Sequence, residues 1–129
     1  MPVKNSGGCF ACGRSNPHGL RLDIRPTPDG VGFTWTPPDR FQGWDGIIHG
    51  GIVATLLDEL IAWACTARGF DAVTGELTVR YRRPLAAGHP VRGTGRIVQE
   101  KGRLLLGESR LLDESGNVVA EASGKMMKV

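Results

Sequence analysis

Residues 49–68 read HGGIVATLLDELIAWACTAR, and this stretch decides the fold. From residue 51 to residue 68 it contains no proline and is apolar on almost every side, which predicts one long helix. A helix that is hydrophobic all round lies inside a protein and not on its surface. Gly69 follows directly and ends the helix. We therefore expect a central helix that the rest of the chain encloses.

Alternating apolar and polar residues on both sides of this helix predict strands. Before it, residues 20–25 and 31–35 alternate around a turn at 28–30, which indicates a hairpin, and a loop over 36–48 leads to the helix. After it, strands are expected over 73–84, 90–100, 103–112 and 117–127. This order favours an α+β fold in which an antiparallel sheet of five to six strands wraps around one long central helix.

The bulk composition fits a single domain. The chain has 129 residues, 40% of them hydrophobic, so we expect one core over 1–129, with an N-terminal segment, 1–19, packed on it. Basic and acidic residues are interspersed, and the net charge of +3 suits a small anionic ligand and not nucleic acid. No apolar run approaches a membrane span, and the three cysteines are expected to stay free thiols. These features predict a cytoplasmic protein with no nucleic-acid or membrane partner.

Two acids, Asp58 and Glu59, lie in the middle of the apolar helix. Burying an ionised carboxylate without a partner costs on the order of several kcal/mol. Both charges therefore need a compensating group. One interpretation is that both acids emerge at a sheet edge and pair with arginines. The other is that they belong to a functional site. Composition alone favours neither.

The start of the helix offers a reason for charge to gather there. His49-Gly50-Gly51 places two residues without side chains at the first turn, where free backbone N–H groups and the helix dipole can approach an oxyanion. A tetrahedral intermediate of acyl transfer develops such a charge. The alternative is that the glycines only let the loop join the helix at a tight angle.

Residues 49–59, HGGIVATLLDE, resemble the helix signature of the hotdog-fold acyl-CoA thioesterases of the phenylacetate-pathway type. Residues 74–84 (TGELTVRYRRP) and 9–20 (CFACGRSNPHGL) are also similar to members of this family, so the resemblance covers nearly the whole chain. It implies hydrolysis of acyl-CoA thioesters to free acid and coenzyme A. It also implies a homo-oligomer, a dimer or a dimer of dimers, in which subunits pair edge to edge and share each active site. No cofactor is implied, since coenzyme A is part of the substrate.

The resemblance assigns roles to three residues of the helix signature. The Gly50 N–H, together with that of Gly51, corresponds to the oxyanion hole. His49 corresponds to the residue that holds the loop and the thioester in place. Asp58 matches the catalytic carboxylate, as general base toward water or as direct nucleophile.

Two further positions follow from the same family. Thr74 matches a hydroxyl residue that positions the water or the carboxylate, although a surface strand threonine is an equally common interpretation. The best-known members carry an asparagine six residues before the histidine, where this chain has Gly43. Gln42, next to it, is the candidate to supply the missing amide. The departure concerns the mechanism and not the fold.

Further residues are candidates for binding the substrate, and Gly51 and Glu59 of the helix are two of them. Arginine forks suit the phosphates of coenzyme A, and the candidates are Arg80, Arg82 and Arg83, with Lys101 and Arg103 in a neighbouring turn. The alternative for these residues is a solvated strand face. Of the three tryptophans, Trp44 is the better candidate for an acyl pocket, whereas Trp63 fits the core.

Cys9-x-x-Cys12, with His18 as a third group, raises the question of zinc. A zinc knuckle needs a histidine and a further cysteine at short fixed spacing, and the sequence lacks them, so we predict no metal site. Packing of the cysteines as small hydrophobes is the favoured interpretation. The leading functional alternative to hydrolysis is a non-catalytic acyl-CoA-binding or sensing protein. A hydratase is disfavoured, because no histidine follows Asp58 within a few residues.

Overall fold

The computed structural model describes residues 3–129. One α-helix, α1 (Gly50–Ala67), stands between two strands that precede it and four that follow it. A single 3-10 turn, Asp39–Phe41, interrupts the loop before α1. The strands are β1 (Arg25–Thr27), β2 (Gly30–Trp35), β3 (Ala72–Tyr81), β4 (Val91–Lys101), β5 (Leu104–Leu112) and β6 (Val118–Lys128).

The six strands form one antiparallel sheet in the order β1-β2-β4-β5-β6-β3. Strands β4, β5 and β6 are consecutive neighbours, whereas β3 crosses over to pair with β6 at the far edge. The helix packs against the inner face of this sheet. The predicted α+β architecture, an antiparallel sheet around one central helix, is confirmed, and each strand after the helix ends within three residues of its predicted limits.

The first predicted strand is largely wrong. Residues 20–24 do not join the sheet, and β1 is only three residues long. Their backbone pairs instead with the N-terminal segment, since the Leu20 N–H donates to the Phe10 carbonyl at 2.8 Å and the Leu22 N–H to the Ala11 carbonyl at 3.0 Å. Leu20, Leu22 and Ile24 are nevertheless buried. The alternation marked an inward-facing extended segment, and periodicity does not tell such a segment from a strand.

The helix is not enclosed on all sides within one chain. Only the side that faces the sheet is buried: Val53, Leu56, Leu57, Leu60, Ile61, Ala64 and Cys65. The other side, with Ala54 and Ala62, stays half-exposed. By length and composition α1 could also cross a membrane, with a mean hydropathy of 1.3 over 18 residues, so the expectation that no such run exists is wrong. Within this chain 39% of that run is buried, on the side that packs against the sheet.

Several glycines lie in the strands directly beneath the helix and bring it close to the sheet. A Cβ at Gly95 would lie 2.7 Å from the Leu60 carbonyl oxygen, and a Cβ at Gly107 would lie 2.6 Å from the Ile61 side chain. At these positions the glycines serve the packing of α1, because any side chain would push the helix away.

Candidate active site

The loop before α1 and its first turn fix one peptide group from both ends. His49 is the N-cap, and its Nδ1 accepts the Gly51 N–H at 2.8 Å. The hydroxyl of Tyr81, at the end of β3, donates to the Gly50 carbonyl at 2.7 Å. The peptide between Gly50 and Gly51 is therefore held by two side chains. Tyr81 was missed from the sequence, where it counted only as one more residue of an alternating strand.

These contacts leave one donor free at the start of the helix. The Ile52 and Val53 N–H groups donate to the His49 carbonyl, and the Gly51 N–H is taken by the imidazole. Within residues 3–129, the Gly50 N–H makes no hydrogen bond. It points from the positive end of the helix dipole, which suits an anionic oxygen. Gly51 keeps the turn tight, since a Cβ there would lie 3.1 Å from the His49 imidazole.

A cavity of about 740 Å³ opens beside this turn. Its walls include His49, Gly50, Tyr81, Trp44 and Leu85. Trp44 is 83% exposed and forms a rim and not a buried wall. Neither of the other tryptophans lines the cavity, and both pack at the margin of the core.

The carboxylate of Asp58 receives a hydrogen bond from the neighbouring strand. The Thr74 hydroxyl donates to Asp58 Oδ1 at 2.7 Å. Neither Asp58 nor Glu59 forms an ion pair with an arginine in the part of the chain that the structure describes, so the sheet-edge interpretation of the two acids does not hold. A charge-assisted hydrogen bond fixes the orientation of the carboxylate and leaves its second oxygen available.

A β-bulge aims Thr74 at the helix. Thr74 pairs with Met126, but the next paired residue on β3 is Glu76, opposite Lys125, so Gly75 is the extra residue of the bulge. Met126 is fully buried, and directly paired residues share a face, so Thr74 faces inward. A regular alternation would have turned Thr74 to the outside. The bulge therefore creates the contact with Asp58.

The structure separates these groups into two half-sites within one chain. The loop half-site holds His49, Gly50 and Tyr81, and the acid half-site holds Asp58 and Thr74. Asp58 follows Gly50 by eight residues, which places it about 12 Å further along the helix axis. Neither Asp58 nor Thr74 lines the cavity at the loop half-site. The two half-sites of one chain therefore do not open onto the same cavity.

Glu59 points away from both half-sites, toward the N-terminal segment. Cys9 Sγ lies 3.9 Å from Glu59 Oε1, and Glu59 does not line the cavity. Burial raises the pKa of the Glu59 carboxyl and raises that of the Cys12 thiol to about 12. Glu59 Oε2 is buried and has no hydrogen-bond partner among the described residues. The expectation that Glu59 contacts substrate has no support in this placement.

The candidate phosphate-binding arginines are not one group. Arg82 and Arg83 line the cavity at the loop half-site, and Arg82 also pairs with Glu121 at 2.6 Å. Arg80 lies on the outer face of the sheet, in a separate groove of about 650 Å³. Lys101 ends β4 at the opposite end of the sheet, where the adjoining Arg103 donates to the Lys128 carbonyl.

The Gln42 amide stays within its own loop. Its Oε1 accepts the Gly46 N–H at 3.0 Å, and Gln42 is not among the residues that line the cavity. Gly43 does line it and lies against His49, because a Cβ at position 43 would be 3.3 Å from His49 Cα. The side chain of Gln42 thus closes the loop that carries His49, a contact with no counterpart in the sequence argument.

Comparison with known proteins gives the family. The family model described as thioesterase superfamily matches residues 45–120, more than half of the chain and both half-sites. The chain belongs to the thioesterase superfamily, and its fold is the hotdog fold.

Two curated relatives have related names. The acyl-coenzyme A thioesterase PaaI of Escherichia coli (strain K12) is 26% identical over 111 residues, which cover 85% of this chain and 79% of the relative. The acyl-coenzyme A thioesterase 13 of Mus musculus is 29% identical over 79 residues, or 59% of this chain. The aligned part is 56% of the mouse protein, so the chain spans little more than half of that relative.

Solved structures agree on the fold. A thioesterase superfamily protein superposes with a TM-score of 0.89 at 26% identity, covering 94% of this chain and 60% of the other. A Streptococcus mutans UA159 protein bound to acetyl CoA superposes with a TM-score of 0.78 at 25% identity, covering 84% of this chain and 88% of the other.

Proposed function

We propose that this protein hydrolyses acyl-CoA thioesters to a free acid and coenzyme A. The observation that carries the proposal is the pairing of two features on one helix: the unbonded Gly50 N–H at its start and the Asp58 carboxylate held by Thr74. An oxyanion donor and an oriented carboxylate are the two groups that thioester hydrolysis needs. The names of the two curated relatives and the acetyl CoA bound to the Streptococcus mutans protein support this substrate class.

We further propose that two copies of the chain complete each site. Strand β3 is an edge strand, and its two ends carry the two half-sites, Thr74 near its start and Tyr81 at its end. Antiparallel pairing of β3 with β3 of a second copy places the start of one strand beside the end of the other. The acid half-site of one subunit then lies beside the loop half-site of its partner. This bridges the separation of about 12 Å within one chain.

In such a site the thioester carbonyl oxygen lies against the Gly50 N–H. Asp58 either removes a proton from water, which adds to the carbonyl carbon, or adds to that carbon directly. The negative charge moves to the oxygen and is stabilised by the N–H and the helix dipole. Collapse of the tetrahedral intermediate expels the coenzyme A thiolate, which takes up the proton that Asp58 removed from water in the first route. In the second route water then hydrolyses the acyl-Asp58 anhydride to the free acid and restores the carboxylate. Arg83, at the wall of the cavity, is placed to meet a phosphate of coenzyme A.

Replacement of the carboxylate tests the reaction. Asp58→Asn keeps the size of the side chain and the Thr74 contact but removes the base, so activity on a panel of acyl-CoA substrates should fall about 100- to 10,000-fold. Asp71→Asn, an exposed acid just before β3, is the matched control and should retain wild-type rates. Equal rates for wild type and Asp58→Asn would exclude Asp58 from the mechanism.

A proline at the first helical position tests the oxyanion donor. Gly50→Pro deletes the N–H, and proline is well accepted at this position because its fixed φ suits the first turn. Gly50→Ala retains the N–H, and its Cβ would meet only the Tyr81 ring, at 3.7 Å. We expect Gly50→Pro to lower kcat about 100- to 1,000-fold while Gly50→Ala stays near wild type. Similar kcat losses in both variants would argue for a steric effect.

A non-catalytic acyl-CoA-binding protein is the second candidate. It is favoured by the loop, where Gly43 offers no amide and the Gln42 carbonyl oxygen is bound to the Gly46 N–H. Isothermal titration with intact acyl-CoA, followed by product analysis, separates the two functions. Tight binding without release of free thiol would support the binding protein.

A further inference from the structure

Three potential metal ligands meet between the N-terminal segment and the helix. One ligand atom each of Cys9, Cys12 and Glu59 lies within 4.8 Å of the other two. The first two come from a short turn and the third from the second half of α1. The group is separate from both half-sites, because Glu59 faces away from the cavity and from Thr74.

The turn that carries the two cysteines is tightly built. The Gly13 N–H donates to the Cys9 carbonyl at 2.8 Å, which closes the C-x-x-C turn on itself. A Cβ at Gly13 would lie 2.4 Å from the Cys9 nitrogen and 2.4 Å from the Gly7 carbonyl oxygen. Only glycine fits there. The Leu20 and Leu22 N–H groups anchor this turn further, through the Phe10 and Ala11 carbonyls.

One oxygen of the partly buried Glu59 carboxylate lacks a hydrogen-bond partner, while the other accepts the Cys9 thiol. Its Oε2 is buried and accepts no hydrogen bond from any residue between 3 and 129. A buried acid is neutralised by a proton or by a cation, since leaving the charge uncompensated is costly. Two cysteine sulfurs beside this carboxylate form a ligand set of the kind that binds zinc.

We propose that Cys9, Cys12 and Glu59 bind one Zn²⁺ ion, with the fourth tetrahedral position open to water. Tetrahedral Zn²⁺ with normal bond lengths places its ligand atoms about 3.3–3.8 Å apart. The Cys9 Sγ to Glu59 Oε1 distance of 3.9 Å is close to this range, and no pair in the cluster exceeds 4.8 Å. Binding displaces the two thiol protons, and the Glu59 proton where the carboxyl is protonated, and leaves every oxidation state unchanged. The ion joins the N-terminal segment to α1, one residue after Asp58.

The prediction of no metal site rested on ligands close to the two cysteines in the sequence. It considered His18 and a nearby cysteine, but His18 is exposed, and it is not one of the three clustered residues. Glu59 lies 47 positions after Cys12 in the chain and reaches the cysteines only because the helix folds over the N-terminal segment. A disulfide between the two cysteines is the competing use of this turn, but it would leave Glu59 Oε2 without a partner.

Cobalt and zinc titrations test the site on the full chain, reduced and freed of metal by a chelator. We expect one equivalent of Co²⁺ to give a thiolate-to-cobalt charge-transfer band that one equivalent of Zn²⁺ abolishes. Cys9→Ser and Cys12→Ser should lose the band, and Glu59→Gln should weaken Co²⁺ binding at least tenfold, a loss typical of a removed ligand contact. Cys65→Ala and His18→Ala are the matched controls and should bind as wild type.

A thermal unfolding series separates lost binding from lost folding. Ligand that binds only the folded state raises Tm, so Zn²⁺ should raise the Tm of wild type and of both controls but not that of Cys9→Ser or Cys12→Ser. Circular dichroism before heating confirms that each variant is folded. The proposal is overturned if the metal-free protein takes up no Co²⁺, if Cys9→Ser and Cys12→Ser bind it unchanged, or if Glu59→Gln binds it as tightly as wild type.

Discussion

Asp58 and Glu59 are adjacent in the chain but have unrelated surroundings. Successive residues of an α-helix point about 100° apart, so one carboxylate faces β3 and the other faces the N-terminal segment. Asp58 accepts a hydrogen bond from the Thr74 hydroxyl, whereas Glu59 lies beside Cys9 and Cys12. Their place in an apolar helix predicted a compensating partner for both acids alike. Only the family resemblance favoured Asp58, and nothing in the sequence linked Glu59 to residues so far away in the chain.

The Thr74 hydroxyl is expected to position the carboxylate of Asp58. Thr74→Ala removes a hydrogen bond to a charged group, worth about 1.5–3 kcal/mol, so kcat should fall about 10- to 100-fold with KM little changed. Thr78→Ala is the matched control, since Thr78 stands on the same strand but lines the outer groove. Steady-state kinetics on one acyl-CoA measures the split.

A serine at position 74 distinguishes positioning from packing. Thr74→Ser keeps the hydroxyl and should recover most of the activity that Thr74→Ala loses. Loss of activity in Thr74→Ser as large as that in Thr74→Ala would show that the methyl group, and not the hydrogen bond, is what matters.

Glu59 should make the stability of the metal-free protein depend on pH. Its pKa is raised by burial, so between its ordinary pKa and the raised one the folded state holds a proton that the unfolded chain has released. Stability conferred by the protonated form is therefore lost as pH rises through that interval. Glu59→Gln removes this loss, and its free energy of unfolding relative to wild type should increase as pH rises above the ordinary pKa of a glutamate.

Urea unfolding in the presence of a chelator measures the difference. Glu76→Gln, at an exposed strand position, serves as the control. Parallel pH profiles for wild type and Glu59→Gln would mean that the carboxylate is solvated and pays no burial cost.

For the helix and the strands, the periodic spacing of apolar residues predicted much of the fold. A long apolar run without proline can only be a helix, and the alternation after it predicted four strands that the structure contains. Two features escaped it. The bulge at Gly75 breaks the alternation of β3, and one side of α1 remains half-exposed although the helix is apolar nearly all round. Periodicity reports which residues avoid water, but not whether the same chain or another one covers them.

How well the glycines beneath α1 tolerate substitution should depend on whether the atom nearest to the added Cβ can move away. At Gly95 it would lie 2.7 Å from the backbone carbonyl of Leu60, which cannot move aside. At Gly124 it would lie 3.1 Å from the end of the Ile61 side chain, which can rotate. Gly95→Ala should therefore destabilise the protein by about 1–3 kcal/mol, and Gly124→Ala by less. Chemical unfolding of both variants tests the order, and the reverse order would contradict this packing.

At the scale of the whole molecule, the two half-sites predict complementation between inactive subunits. Asp58→Asn lacks the acid half-site and Gly50→Pro lacks the loop half-site. After unfolding and refolding together, half of randomly formed dimers are mixed, and each mixed dimer contains one site with both half-sites intact. The mixture should recover about a quarter of wild-type activity.

Each variant refolded alone controls for residual activity and should stay inactive. Sedimentation of the same samples reports whether the chains associate. If the samples form dimers but the mixture is no more active than either variant alone, each active site would draw both of its half-sites from the same chain.

Because β3 contains an extra residue, one part of the site depends on the pairing register of the strand and not on side-chain chemistry. Thr74 faces the helix because Gly75 has no counterpart on β6. If Gly75 were instead paired with Met126 in a regular ladder, residue 74 would face outward, with every residue of the proposed site still present in the sequence. The strand register set by one unpaired glycine thus determines which way the hydroxyl points.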